Sequence, residues 1–311
     1  MKIAMVGAGG VGAYLGGLLE RAGHQVALIG RREHLRALRE SGLRVESVHG
    51  DFTLRPALAT DRPQEVGPVE LVIFTVKTYD TDPAAESARP LVGPDTAVLP
   101  LQNGVESVAR LARHFGAGRV LGGAAWIVVS VAEPGLIRQE SQVRRIVFGE
   151  MDGRETERVR AIRETLATSG FTVEVTDRIE TVLWTKLLFI ASIGGLTSLM
   201  RAPVGPILAH AGSRALLRRA MEEVEAVARA RRLPLNPRVV DQTMAFAQTL
   251  EPATTSSMQR DVAAGRRSEH DALNGAVARA GRESGVPTPI HEFCWTCLTV
   301  TEAAERIVPR V

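Results

Sequence analysis

The chain has 311 residues, of which 45% are hydrophobic and 23% charged, with a net charge of +3. That length accommodates two domains of ordinary size, and the composition excludes an intrinsically disordered chain. Acidic and basic residues are interspersed, so the slight positive excess reads as solvated helix faces such as Arg218-Arg219 and Arg231-Arg232, not as a nucleic-acid footprint.

The chain opens with Met1-Lys2 and a short apolar run that stops at Gly7. The run is too short for the core of a signal peptide, which predicts a buried first strand over Lys2 to Val6. From there, short β-branched runs alternate with amphipathic stretches, the pattern of a parallel sheet built from βαβ units. Further strands are expected over Gln25 to Ile29, Leu71 to Val76, Ala97 to Leu101, Val120 to Val131 and Ile146 to Gly149. Helices are expected near Gly10 to Ala22, Glu33 to Ser41, Thr81 to Ala88, Val105 to His114 and Arg154 to Thr168. Glu133-Pro134-Gly135 reads as a turn that makes the last strands an antiparallel edge decoration of the sheet.

After Phe171 to Val175 the strand signal ends. Helices follow near Arg178 to Ile193, Ser213 to Arg231, Pro237 to Thr249, Ser257 to Ala264, His270 to Ser284 and Pro289 to Glu305, punctuated by prolines. The expected architecture is therefore α/β, an N-terminal doubly wound sheet over residues 1–177 and an all-helical domain over 178–311. The apolar run from Leu187 to Met200 carries serine, threonine and two glycines, and it is shorter than the ~20 residues a membrane helix needs. No membrane span is expected. With two cysteines, Cys294 and Cys297, a disulfide-stapled secreted fold is not expected either, and a cytoplasmic location suits the chain.

Gly7-Ala8-Gly9-Gly10-Val11-Gly12 lies where the first strand should give way to the first helix. Gly7 permits the tight turn, Gly9 lets backbone approach a pyrophosphate, and Gly12 lets the helix pack on the strand. The helix N-terminus, with Gly10 and Val11 in its first turn, offers N–H groups to the anion. This is the dinucleotide fingerprint of a Rossmann domain. An NAD enzyme places an Asp or Glu at the end of the second strand to take the ribose 2′-OH. Here that place reads Ile29-Gly30-Arg31-Arg32, so the expectation is NADP(H), with Arg31 or Arg32 on the 2′-phosphate.

Two strand ends carry polar groups toward the side of the sheet where ligands of open α/β folds bind: Phe74-Thr75-Val76-Lys77 and Leu101-Gln102-Asn103-Gly104. Lys77 and Asn103 are candidates for the nicotinamide end. A further signal comes from lysine usage. Of 38 basic residues only Lys2, Lys77 and Lys186 are lysines, and arginine cannot release a proton at useful pH whereas a desolvated lysine can. Lys186 is the only charged residue between Thr181 and Met200, in a helix apolar on every face. A buried ammonium must be partnered, snorkelling or neutral. Burial also lowers its pKa toward the range useful for acid–base catalysis.

Together, Gly7 to Gly12, Lys77, Gln102-Asn103-Gly104, Trp184-Thr185-Lys186-Leu187, the Ser256-Ser257-Met258-Gln259-Arg260-Asp261 run and Glu269-His270-Asp271-Ala272-Leu273-Asn274-Gly275 resemble the ketopantoate reductase (2-dehydropantoate 2-reductase) family. The resemblance spans nearly the whole chain. It implies NADPH-dependent reduction of a small 2-oxo acid, ketopantoate to pantoate, within pantothenate biosynthesis. It further implies Lys186 as the general acid, Glu269 as the acidic group holding that lysine, the substrate hydroxyl or the cofactor, and Ser257 on the substrate carboxylate. Asn103 and Lys77 would line the nicotinamide and substrate cleft.

Two positions depart from the family pattern. Four and eight residues after the lysine, where family members commonly carry asparagine, stand Ile190 and Gly194. A site missing an expected hydrogen-bonding group discriminates differently among substrates, so another branched or aromatic 2-oxo acid is the alternative. A dinucleotide-binding sensor without chemistry is a third reading. No metal centre is expected: Cys294-x-x-Cys297 with His291 lacks a fourth ligand and falls in a helix. Ser268, His270 and Asp271 are not expected to form a triad, since near neighbours on a helix do not face one another. The partner is thus a small-molecule acid, with the oligomeric state open and a homodimer possible.

Overall fold

The computed structural model describes residues 1–307, which cluster into two compact units. One comprises residues 1–102 and 107–179, the other residues 103–106 and the chain from Glu180 onward.

The first unit is built on five parallel strands: β1 (Lys2–Val6), β2 (Gln25–Ile29), β5 (Leu58–Thr60), β6 (Val69–Phe74) and β7 (Val92–Pro100). Their order is β5-β2-β1-β6-β7. The central strands read as continuous apolar runs, as burial on both faces requires; Ile3, Met5, Leu71 and Ile73 pack on one side, Ala4, Val72 and Phe74 on the other. Helix α1 (Gly10–Arg21) crosses from β1 to β2, α2 (Arg32–Glu40) follows β2, and α3 (Thr81–Ser87) and α4 (Ser107–Phe115) flank the later strands. Registers Val6↔Ile29 and Val6↔Phe74 bring the carboxyl ends of β2, β1 and β6 level.

Two smaller sheets depart from the expected pattern. The long strand expected over Val120 to Val131 is two, β8 (Gly122–Trp126) and β9 (Val129–Glu133). The latter pairs antiparallel with β10 (Leu136–Gln139) through the turn at Gly135, φ +83°. The turn was legible, its place was not. The hairpin does not edge the main sheet; it joins β3 (Leu43–Ser47) and β4 (Phe52–Leu54) in a four-stranded sheet, while β11 (Arg145–Gly149) pairs with β8 on one side and β12 (Thr172–Val175) on the other. Strands β4 and β5 have three residues each, too few for periodicity to reveal, whereas β3 alternates buried and exposed positions, a signal that the sequence expectation passed over. Helix α5 (Glu157–Ala167) starts at Thr156, whose side chain accepts from the Val159 N–H.

The second unit is helical: α6 (Ile179–Met200), α7 (Val204–Ala209), α8 (Ala211–Ala230), α9 (Val239–Gln248), α10 (Ser257–Ala263), a π-helical turn at Asp271–Gly275 leading into α11 (Ala276–Ser284), and α12 (Pro289–Ile307). Helix α6 runs through Gly194-Gly195 instead of stopping at Ile193, because both glycines are packing positions inside the bundle. By length and composition it could cross a membrane, but most of its apolar stretch is buried, with Trp184, Leu187, Leu188 and Ala191 in the core of the helical unit.

Candidate active site

Each unit carries part of the candidate machinery. In the first unit, Gly7 turns the chain with φ +110°, and a Cβ there would stand 2.6 Å from the Val76 backbone nitrogen. The Gly7 and Ala8 amides donate to the Ile29 carbonyl at 3.0 Å, tying the turn to the end of β2. A Cβ on Gly12 would overlap the Gly7 carbonyl oxygen, which also accepts from the Thr75 hydroxyl at 2.7 Å. Gly9 differs: a Cβ there would meet nothing within 4 Å. Its absent side chain leaves open space before the first turn of α1, where Gly9 provides no side-chain cap and no acidic residue stands. The uncapped N–H groups of Gly10, Val11 and Gly12 suit a phosphate anion. Gly10 serves a second purpose, since a Cβ there would press on the Val129 carbonyl and Ser130 of the β9–β10 hairpin at 3.0 and 3.2 Å. The residues present fit a dinucleotide pyrophosphate.

Arg31 lies just past the end of β2 and forms an ion pair with Asp80. Arg32 takes a left-handed backbone, φ +59°, and is exposed. Lys77, half-buried, follows Thr75 and Val76 beyond β6 and opens the 3-10 turn Thr78–Asp80. Gln102, at the end of β7, donates to the Val76 carbonyl and the Thr81 hydroxyl, both at 2.9 Å, which braces the Lys77 turn.

In the second unit, Lys186 is half-buried on α6. Its ammonium is pulled down to about 8, chiefly by desolvation, while the negative charge of Glu269 opposes the fall. Glu269 is 6% exposed. It stands two residues before the π-helical turn, and such turns often shape functional sites by reorienting side chains. Here the turn delivers Asn274, 1% exposed, whose amide donates to the Ala191 carbonyl of α6 at 3.0 Å and meets His291 Nδ1 at 3.0 Å. His291 Nε2 in turn reaches the Ala220 carbonyl at 3.0 Å. Burial drives His291 down to about 4, so the ring is neutral, Nε2 carrying the proton and Nδ1 accepting. Gly195 makes this docking possible, because a Cβ there would stand 2.7 Å from the Asn274 amide nitrogen. The glutamate-bearing segment is thus keyed to the lysine-bearing helix.

Asn103 belongs to this unit's short inserted segment, residues 103–106. Gly104 has φ +90° with its Cα against the Ala272 carbonyl, and Arg279 grips Glu106 through two bonds of 3.0 and 2.9 Å. These contacts bring the Asn103 segment to the helix turn that follows Glu269. Ser257 is exposed at the start of α10; the cap is Ser256, which accepts from Gln259 N at 2.9 Å and meets the Thr197 hydroxyl at 3.2 Å. The Ser257 hydroxyl is therefore not spent on the helix end. Ile190 sits one turn beyond Lys186. A Cβ on Gly194 would lie 3.1 Å from the Met258 terminal methyl, so an apolar side chain covers the second departing position.

Some roles were not readable from the sequence. Asp80 as partner of Arg31, and Glu106 as partner of Arg279, arise from pairings 49 and 173 residues apart that no local pattern announces. Contrary to expectation, Ser268 and His270 do face one another, because Ser268 precedes the helix; its hydroxyl lies 2.9 Å from His270 Nδ1. Asp271 instead holds Arg279 at 2.9 Å. Cys294 and Cys297 are free on α12, and burial pushes the Cys294 thiol up to about 12. Among the described residues no group of three His, Cys, Asp or Glu side chains is disposed to hold a metal.

Comparison with known proteins agrees along the chain. The family model for ketopantoate reductase PanE/ApbA matches residues 3–153, and the model for its C-terminal part matches residues 178–302. An uncharacterized oxidoreductase, YkpB, of Bacillus subtilis is 31% identical over 97% of this chain and 99% of its own. A 2-dehydropantoate 2-reductase of Halobacterium salinarum is 32% identical over 93% and 95%. The crystal structure of 2-dehydropantoate 2-reductase from Geobacter metallireducens superposes with a TM-score of 0.91 at 35% identity, covering 96% of this chain and 99% of that one. The chain therefore belongs to the ketopantoate reductase family of oxidoreductases.

Proposed function

We propose that this protein is an NADPH-dependent reductase of a small 2-oxo acid, with 2-dehydropantoate (ketopantoate) as substrate and pantoate as product. Residues 1–177 bind the dinucleotide, and residues 178–311 supply the catalytic and substrate-binding groups. The observation that carries the reading is the Lys186 ammonium, pulled down to about 8 beside the charge of buried Glu269. A group with that pKa holds its proton at neutral pH and releases it readily, as a general acid must.

When bound, the reduced nicotinamide supplies a hydride to the ketone carbon. Lys186 Nζ donates its proton to the carbonyl oxygen, and its charge stabilises the oxyanion as it develops. The neutral amine then regains a proton from water. Glu269 keeps the lysine charged until transfer and is also assigned to the cofactor side of the site. Ser257 binds the substrate carboxylate, Asn103 and Lys77 line the nicotinamide end, and Gly7, Gly9, Gly10, Val11 and Gly12 receive the pyrophosphate. Arg31 takes the 2′-phosphate in preference to Arg32, because it stands at the carboxyl end of β2. The free thiols suit a reducing, cytoplasmic setting.

A second substrate reading rests on one observation. Ile190 and the Met258 methyl over Gly194 line the positions after Lys186 with apolar groups, which favours a 2-oxo acid with a branched or aromatic side chain over one bearing a hydroxyl. Oxidation of NADPH measured with ketopantoate and with 2-oxo acids of apolar side chain decides between them. Preference for ketopantoate supports the first reading, and preference for an apolar acid the second.

A further inference from the structure

The strand order places β1 between β2 and β6, with the carboxyl ends of all three level. Neighbouring strands stand ~4.8 Å apart, so the chain leaving β2 and the chain leaving β6 are separated by roughly 10 Å. The Arg31–Asp80 ion pair closes that distance, spanning the end of β1 where the glycine turn begins. It therefore lies along the rim that a dinucleotide held by this turn must follow.

Asp80 is the more buried partner: its side chain is 19% exposed and that of Arg31 is 63% exposed. The aspartate also occupies the N-cap position of α3, yet its side chain accepts no hydrogen bond from that helix. An aspartate at an N-cap ordinarily satisfies the N–H groups of the first turn. This one points its carboxylate at the guanidinium instead.

A 2′-phosphate needs the same guanidinium. It would approach with a charge near −2, against a carboxylate already bound there, and like charges repel. A ribose 2′-hydroxyl meets no such opposition, because it can donate to a carboxylate. We propose that Asp80 is a specificity-determining residue of the dinucleotide site: it competes with the 2′-phosphate for Arg31 and so holds down the preference for NADPH over NADH. This inference rests on the assignment of Arg31 to the 2′-phosphate.

The test is direct binding of NADPH and NADH to the full chain, followed by quenching of protein fluorescence, for the native protein, Asp80→Asn, Arg31→Met and the double variant. Asp80→Asn is expected to raise the NADPH-to-NADH affinity ratio about two- to fivefold, the scale of one exposed ionic competition. The gain should shrink with added salt. Arg31→Met should lower the ratio, and adding Asp80→Asn to it should raise the ratio less than in the native background, since the two residues act through one contact. If Arg31→Met lowers the ratio but Asp80→Asn leaves it unchanged or lowers it, Asp80 is not a competitor and the inference fails while the NADPH assignment survives. If Arg31→Met leaves the ratio unchanged, Arg31 does not read the 2′-phosphate, and that assignment and the inference fall together. Circular dichroism of each variant checks that the fold is retained.

Discussion

In the helical unit the charge of Glu269 works against the burial of Lys186: desolvation drives the ammonium down to about 8, and the carboxylate limits how far it falls. The pair is set by two helical segments keyed together through Asn274 and Gly195.

Replacing Lys186 by methionine keeps the apolar stem and removes the proton. Turnover is expected to fall by about 10²- to 10⁴-fold, the usual size of one acid–base role, with NADPH affinity little changed. Steady-state kinetics and a binding titration on the same variant read the two effects separately.

The pH dependence follows from the same group. As the proposed general acid Lys186 would have to be protonated, so kcat/KM is expected to decline as pH rises through about 8. Glu269→Gln removes the charge that favours the ammonium, and the decline should move to lower pH. A descending limb that stays in place in Glu269→Gln would separate the two residues.

Buried His291 makes the opposite end of the pH range informative. Its folded pKa, about 4, lies below the ordinary value of 6.5, so between those values the unfolded chain binds more protons and stability falls with acidification. His291→Gln should flatten the fall in Tm between pH 6.5 and 4. At neutral pH the same change should destabilise by about 1–3 kcal/mol through the broken contacts to Asn274 and Ala220.

Within the glycine turn, Gly12 is sterically required and Gly9 borders open space. Gly12→Ala forces a Cβ onto the Gly7 carbonyl and should destabilise by about 1–3 kcal/mol. Gly9→Ala meets only open space, so thermal unfolding should barely move while dinucleotide affinity drops about tenfold or more as the methyl enters the path of the pyrophosphate. Equal effects of both on Tm would contradict this division.

Much of the fold and of the candidate site is legible in the sequence. The strands β1, β2 and β6 read from their apolar runs and the glycine turn from its spacing, because both are local patterns with a fixed physical meaning. Lys186 stood out because one lysine in an apolar helix is a burial problem in any fold. What could not be read were the pairings that depend on the fold having closed. Asp80 meets Arg31 only because β1 lies between their strands, and the β9–β10 hairpin finds β3 and not the main sheet. Gly194 and Gly195 looked alike in the sequence, yet one faces Met258 and the other Asn274.

The central claim is that Lys186 delivers a proton as NADPH reduces a 2-oxo acid. Native protein and Lys186→Met, assayed for NADPH oxidation against ketopantoate and apolar 2-oxo acids, test it most directly. The account predicts turnover of at least one acid by the native protein and its near-complete loss in the variant, with NADPH still bound by both. Native protein that binds NADPH but reduces none of the acids, or a variant as fast as the native protein, would contradict it.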